Sequence, residues 1–203
     1  MEHIIQQTVE ALRLGKTILY PTDTIWGIGC DARNSAAVER LYAIKERDRS
    51  KSMLVLIRSE VRSRKSEANL QPPTSDLQPP TSDLQPPTSP RPTTYILPRT
   101  VWHDGMHLEV APNLPADDGT LGIRVPDHPF CQEVIRRLGA PLVSTSANLS
   151  GHPSPLTYND IEDALKQRVD FCVPPLPEFL SGETRGSRIV KIDPDGSETV
   201  IRP

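Results

Sequence analysis

Met53-Leu54-Val55-Leu56-Ile57 is an unbroken apolar run of strand length. A strand with one wet face would alternate apolar and polar residues, so this run belongs to a sheet covered on both faces. Upstream of it, Val38, Leu41 and Tyr42 share one helical face running towards Lys45, with Ser35 placed to cap that helix. Farther upstream, Thr17 to Tyr20 reads as a short strand stopped by Pro21. Before that, Ile4, Ile5, Val9 and Leu12 follow helical spacing up to a terminating Gly15. Downstream, Thr94–Leu97, Leu121–Val125 and Leu142–Ser146 read as strands, and Pro129 opens a helix that ends at Leu138 before Gly139. A helix around Ile161–Leu165 precedes strands at Ile189–Ile192 and Glu198–Ile201, which are joined by the turn Pro194-Asp195-Gly196. Strands and helices mix without strict alternation, so the expected fold is α/β with a mixed sheet that includes antiparallel pairs.

One stretch breaks this pattern. Leu-Gln-Pro-Pro-Thr-Ser-Asp at 70–76 recurs at 77–83, and again at 84–90 with a final Pro90. Paired prolines in every repeat exclude a helical heptad, and one leucine in seven residues buries too little surface for a solenoid unit. The reading is a low-complexity, Pro-rich loop over about 66–92, inside a single domain spanning 1–203.

The 203 residues suffice for one sizeable core. Lys plus Arg number 23 against 26 for Asp plus Glu, so the net charge of −3 excludes whole-surface attraction to nucleic acid and leaves only a local basic cleft. No apolar run approaches the ~18 residues of a membrane span. The N-terminus, Met1-Glu2-His3, does not read as a signal peptide, and a cytoplasmic protein is expected. Cys30, Cys131 and Cys172 are far apart and read as free, buried thiols.

The familiar catalytic signatures are missing. There is no Gly-x-x-x-x-Gly-Lys loop, Gly27-Ile28-Gly29 lacks a third glycine, and no Gly-x-Ser-x-Gly elbow occurs. His103 and His107 are four apart, but Gly105 between them weakens any zinc-binding helix. What remains is a set of hydroxyls and cations at strand ends. Tyr20-Pro21-Thr22-Asp23-Thr24 follows the first strand. Lys45 to Lys51 packs four cations and two acids between a helix and the buried strand. Arg124 sits inside an apolar strand, where a lone cation is costly without a partner or a cleft. Ser144 to Gly151 is a polar turn at a strand end.

Together these stretches resemble the threonylcarbamoyl-AMP synthase (YrdC-like) family. Its opening motif is matched by Tyr-Pro-Thr-Asp-Thr-Ile-Trp-Gly-Ile-Gly at 20–29, and its paired signature by Lys45-x-Arg47 with Ser146-x-Asn148. Gly122-Ile123-Arg124-Val125-Pro126 and Ser-Ala-Asn-Leu-Ser-Gly at 146–151 are further matches. The resemblance covers all but about 62–92. Asp48, Ser52, Arg91 and Arg188 depart from the family pattern.

The resemblance implies a twisted mixed sheet with helices on one side and an open, cation-lined concave cleft. It implies a nucleotidyltransferase that joins L-threonine, bicarbonate and ATP into threonylcarbamoyl-AMP. The product would serve tRNA modification, passing to a threonylcarbamoyl transferase complex, and Mg2+ would be bound through the substrate phosphates. Carried over by motif, Lys45, Arg47, Ser146 and Asn148 are the catalytic set. Arg47, Lys51, Thr120, Ser146, Ser154 and Arg202 would bind ATP, and Thr24, Arg124, Ser144 and Ser187 threonine. The rival reading is a YrdC-like protein that binds double-stranded RNA or tRNA without this catalysis.

Overall fold

The computed structural model describes residues 1–49, 52–59, 91–179 and 185–203. Most of the Pro-rich repeat region and Lys51 lie outside the described residues. Nine strands form a mixed sheet: β1 (Ile18–Tyr20), β2 (Gly27–Gly29), β3 (Leu54–Leu56), β4 (Thr93–Leu97), β5 (Leu121–Arg124), β6 (Leu142–Ser146), β7 (Phe171–Cys172), β8 (Arg188–Ile192) and β9 (Glu198–Arg202). Their order across the sheet is β7-β1-β2-β6-β3-β5-β4-β8-β9. The pairs β1/β7, β3/β5 and β4/β8 are parallel and the others antiparallel.

Among the described residues, four α-helices flank the sheet: α1 (Glu2–Arg13), α2 (Ser35–Lys45), α3 (Pro129–Leu138) and α4 (Asp163–Lys166). Two of them show their sequence logic at the ends. At α3, proline opens the first turn and Gly139 closes the helix at φ 70, a left-handed conformation that suits a residue without Cβ. At α2 the cap is Asn34 rather than Ser35, its side chain accepting from the Ala37 N–H at 3.0 Å. Both residue types cap well, and the chain uses the one a position earlier.

The buried run at β3 serves two cores. Met53, Val55 and Ile57 join α2, Leu19 and Ile28 on one face. Leu54 and Leu56 face the other, where α1 and α3 pack over Ile18, Tyr20 and Leu142. Helices therefore flank both faces rather than one. The apolar continuity at 53–57 carried that information, because a strand bare on one side would have needed polar residues there.

Among the described residues, the second face is only partly covered. Ser144 lies across from Leu54, Leu54 across from Gly122, and Gly122 across from Ile96. Leu56 lies across from both Leu142 and Arg124. Because side chains alternate along a strand, Ser144, Leu54, Gly122, Ile96 and Arg124 share the face that α1 and α3 cover only around Leu56 and Leu142. The remainder of that face is a cleft.

Candidate active site

The cleft is a cavity of about 230 Å³. Gly122 keeps the floor low, since a Cβ there would sit 3.2 Å from the Leu54 Cβ. One wall is polar, built from Thr24, Ser144, Thr94, Ser187 and Arg124. Arg47, Ser146, Ser154 and Arg202 also line it, and Ile25, Trp26 and Met53 add apolar surface.

Arg124 is 4% exposed. Its Nη1 donates to Asp23 Oδ1 at 2.8 Å and to Thr24 Oγ1 at 3.2 Å, while Nε has no partner among the described residues. Thr24 and Thr22 share a hydroxyl contact of 3.0 Å, and Thr94 and Ser187 share one of 2.7 Å. Arg202 reaches back from β9, and its Nε and Nη2 donate to the Ser187 carbonyl at 2.9 and 2.6 Å. Burial holds Arg202 below the ordinary arginine range, and the like charge of Arg124 adds to this. Burial does the same to Arg47, whose Nη2 donates to the Ser52 carbonyl at 2.9 Å. Three half-desolvated or buried guanidiniums around hydroxyls make a receptor for anionic groups.

A Sua5/YciO/YrdC family model, described as Telomere recombination, matches residues 10–203. The chain belongs to this family. It is 35% identical over 201 residues to a threonylcarbamoyl-AMP synthase of Photobacterium profundum, across 98% of this chain and 97% of the relative. A threonylcarbamoyl-AMP synthase of Chromohalobacter salexigens is 33% identical over 185 residues, across 91% of this chain and 90% of the relative. Among solved structures, P. abyssi Sua5 complexed with L-threonine superposes with a TM-score of 0.72 at 23% identity, over 98% of this chain. The present chain spans about half (53%) of that protein's length.

Against the family motifs, eight of the twelve predicted site residues line one cavity: Thr24, Arg47, Arg124, Ser144, Ser146, Ser154, Ser187 and Arg202. Lys51 lies outside the described residues. The other three stand apart from the lining. Thr120 precedes β5, and its hydroxyl and N–H both bond to Asp118 Oδ1, at 2.6 and 2.9 Å. Lys45 is 1% exposed and turns inward. Its Nζ donates to the Ser146 carbonyl at 2.6 Å, to Asn148 Oδ1 at 3.1 Å and to the Asn148 carbonyl. The Asn148 amide nitrogen donates to the carbonyls of Leu149 and His152. Lys45 and Asn148 thus hold the turn that carries Ser146.

Of the four departures Ser52 lines the cavity, and Asp48, Arg91 and Arg188 do not. Ser187 and Ile189 line it, so strand alternation turns Arg188 to the opposite face. Reading the sequence alone missed Thr94 and Trp26. Thr94 had a signal, because period 2 along β4 puts it on the same face as Ile96.

Proposed function

We propose that this chain is a nucleotidyltransferase making threonylcarbamoyl-AMP from L-threonine, bicarbonate and ATP. The observation that carries the reading is one cavity that joins a hydroxyl-ringed arginine (Thr24, Arg124, Ser144, Ser187) to two further arginines, Arg47 and Arg202. The names of the relatives support it.

The chemistry asks for positioning rather than a protein nucleophile. The ammonium group of threonine and bicarbonate combine into a carbamate, releasing water and a proton. A carbamate oxygen then forms a bond to the α-phosphorus of ATP, and the bond to the leaving pyrophosphate breaks. Arg124 takes the amino-acid carboxylate, and the hydroxyls of Thr24, Ser144 and Ser187 take its remaining polar groups. Arg47 and Arg202 face the triphosphate and offset the charge that grows on pyrophosphate, with Ser146 and Ser154 as fixed donors. Ile25, Trp26 and Met53 offer the base an apolar surface. Held in line, the reactants gain from positioning alone, worth up to ~7–11 kcal/mol in favourable cases.

Among the described residues, the cavity lining contains no carboxylate and no three metal-binding side chains cluster. On this reading Mg2+ comes with the nucleotide, held by phosphate oxygens and water. The product passes to an enzyme that transfers the threonylcarbamoyl group to tRNA in the cytoplasm, and the chain acts as one domain. No described helix is long and apolar enough to cross a membrane.

The test is pyrophosphate release measured with each substrate omitted in turn. Release that needs both threonine and bicarbonate is expected. Its absence, with tight binding of double-stranded RNA, would move the assignment to an RNA-binding protein.

A further inference from the structure

Behind the cavity wall lies a carboxylate to which the reaction above gives no part. Arg124 lines the cavity and Asp23 does not. Their side chains are only 3% and 7% exposed. The two oxygens of Asp23 serve different partners. Oδ1 accepts from Arg124 Nη1 at 2.8 Å, and Oδ2 accepts from the Asp127 backbone N–H at 3.1 Å. Asp127 lies in the segment between β5 and α3, so Asp23 ties the β1–β2 loop to the chain just past Arg124's own strand. Thr24 Oγ1 holds the same Nη1 at 3.2 Å, which fixes one corner of the guanidinium. Nε has no partner among the described residues.

An arginine side chain has four rotatable bonds, and a long cation in a cavity with two other arginines would otherwise swing away from them. A buried carboxylate on one corner removes that freedom before any ligand arrives. It also offsets the cost of a cation held out of water while the cavity is empty.

We propose that Asp23 is a positioning residue for threonine, locking Arg124 so that its remaining donors meet the substrate carboxylate. The proposal rests on the synthase reading above. Asp23 lies outside the cavity lining and acts on threonine through Arg124. Its loss therefore weakens threonine and spares ATP.

The experiment compares steady-state pyrophosphate release by wild type, Asp23→Asn, Arg124→Lys and the double variant, with threonine and ATP varied separately. Asparagine keeps the size of aspartate, removes its charge and cannot satisfy both Arg124 and the Asp127 N–H. Asp23→Asn is expected to raise the threonine KM about ten-fold or more and to leave the ATP KM within about two-fold. In the Arg124→Lys background the same change adds less than about two-fold, because the residue it acts through is already altered. Equal rises in both KM values, an unchanged threonine KM, or effects that multiply in the double variant would each overturn the proposal. Should Asp23→Asn fail to fold, Asp23→Glu keeps the charge and displaces the guanidinium. It is expected to raise the threonine KM several-fold with the ATP KM unchanged, and a wild-type threonine KM in that variant would overturn the proposal. A wild type without threonine-dependent release sinks the synthase reading and this proposal together. An active wild type with an indifferent Asp23→Asn sinks this proposal alone.

Discussion

Lys45 and Arg47 sit two residues apart and do opposite things with their charge. Lys45 ends α2 pointing into the protein, where three oxygens of the Ser146–Asn148 turn receive its ammonium. Arg47 lies past the left-handed cap at Glu46 (φ 51) and lines the cavity. Lys45→Met should cost about 2 kcal/mol or more in urea unfolding, since it leaves two carbonyls without their donor. Burial pushes the Lys45 pKa down to about 8, with the charge of Arg47 adding to the effect. Between about pH 8 and the ordinary lysine value, the unfolded chain then holds a proton that the folded chain has lost. This group's contribution to stability therefore rises with pH across that window, and Lys45→Met should abolish the rise. Unfolding curves at pH 7, 8.5 and 10 measure it. Arg47→Ala should behave differently, raising the ATP KM ten-fold or more while stability moves by under ~1 kcal/mol. A variant with wild-type ATP KM removes Arg47 from the phosphate site. Sequence motifs marked both residues but could not separate them, because the orientation of Lys45 depends on a turn 101 to 103 residues away.

At the scale of elements, β2 is the instructive strand. From sequence no strand is expected at Gly27-Ile28-Gly29, yet it pairs with both β1 and β6. A Cβ on Gly29 would stand 2.0 Å from the Val143 carbonyl oxygen, so glycine is required by the approach of a neighbouring backbone. Gly29→Ala should destabilise the protein by more than ~3 kcal/mol in urea unfolding. Gly105→Ala is the control, because its Cβ would meet nothing nearer than 3.6 Å. Equal stability of the two variants would show that the sheet relaxes around an added methyl at Gly29. Elements with local punctuation were legible. Pro129 and Gly139 bound α3 as read, and Pro194-Asp195-Gly196 joins β8 to β9, with the Asp193 N–H bonded to the Ser197 carbonyl at 3.0 Å. Elements defined by their partners were not. The two residues of β7 are a strand only because β1 lies beside them, and Thr94 faces the cavity only because β4 pairs with β5 and β8 in this register.

For the whole molecule, the strand order decides when the cavity can exist. Its lining comes from the β1–β2 loop and β2, the α2–β3 segment, β3, β4, β5, β6 and the chain after it, β8 and β9, so residues from Thr22 to Arg202 meet in one small space. The parallel pair β4/β8 joins Thr93 to Arg188, and Lys45 closes on Ser146 across 101 residues. Each such closure costs chain entropy before its contacts form, which makes a topology of this kind slow to assemble. The lining is spread along the chain, so a fragment carries only part of it. Recovery of threonine binding during refolding from urea should therefore trail the recovery of helical circular dichroism, and both substrates should raise the unfolding midpoint of the entire protein. On the proposed reading, nucleotide and amino acid would act as late fasteners on a sheet whose neighbouring strands are made far apart in time.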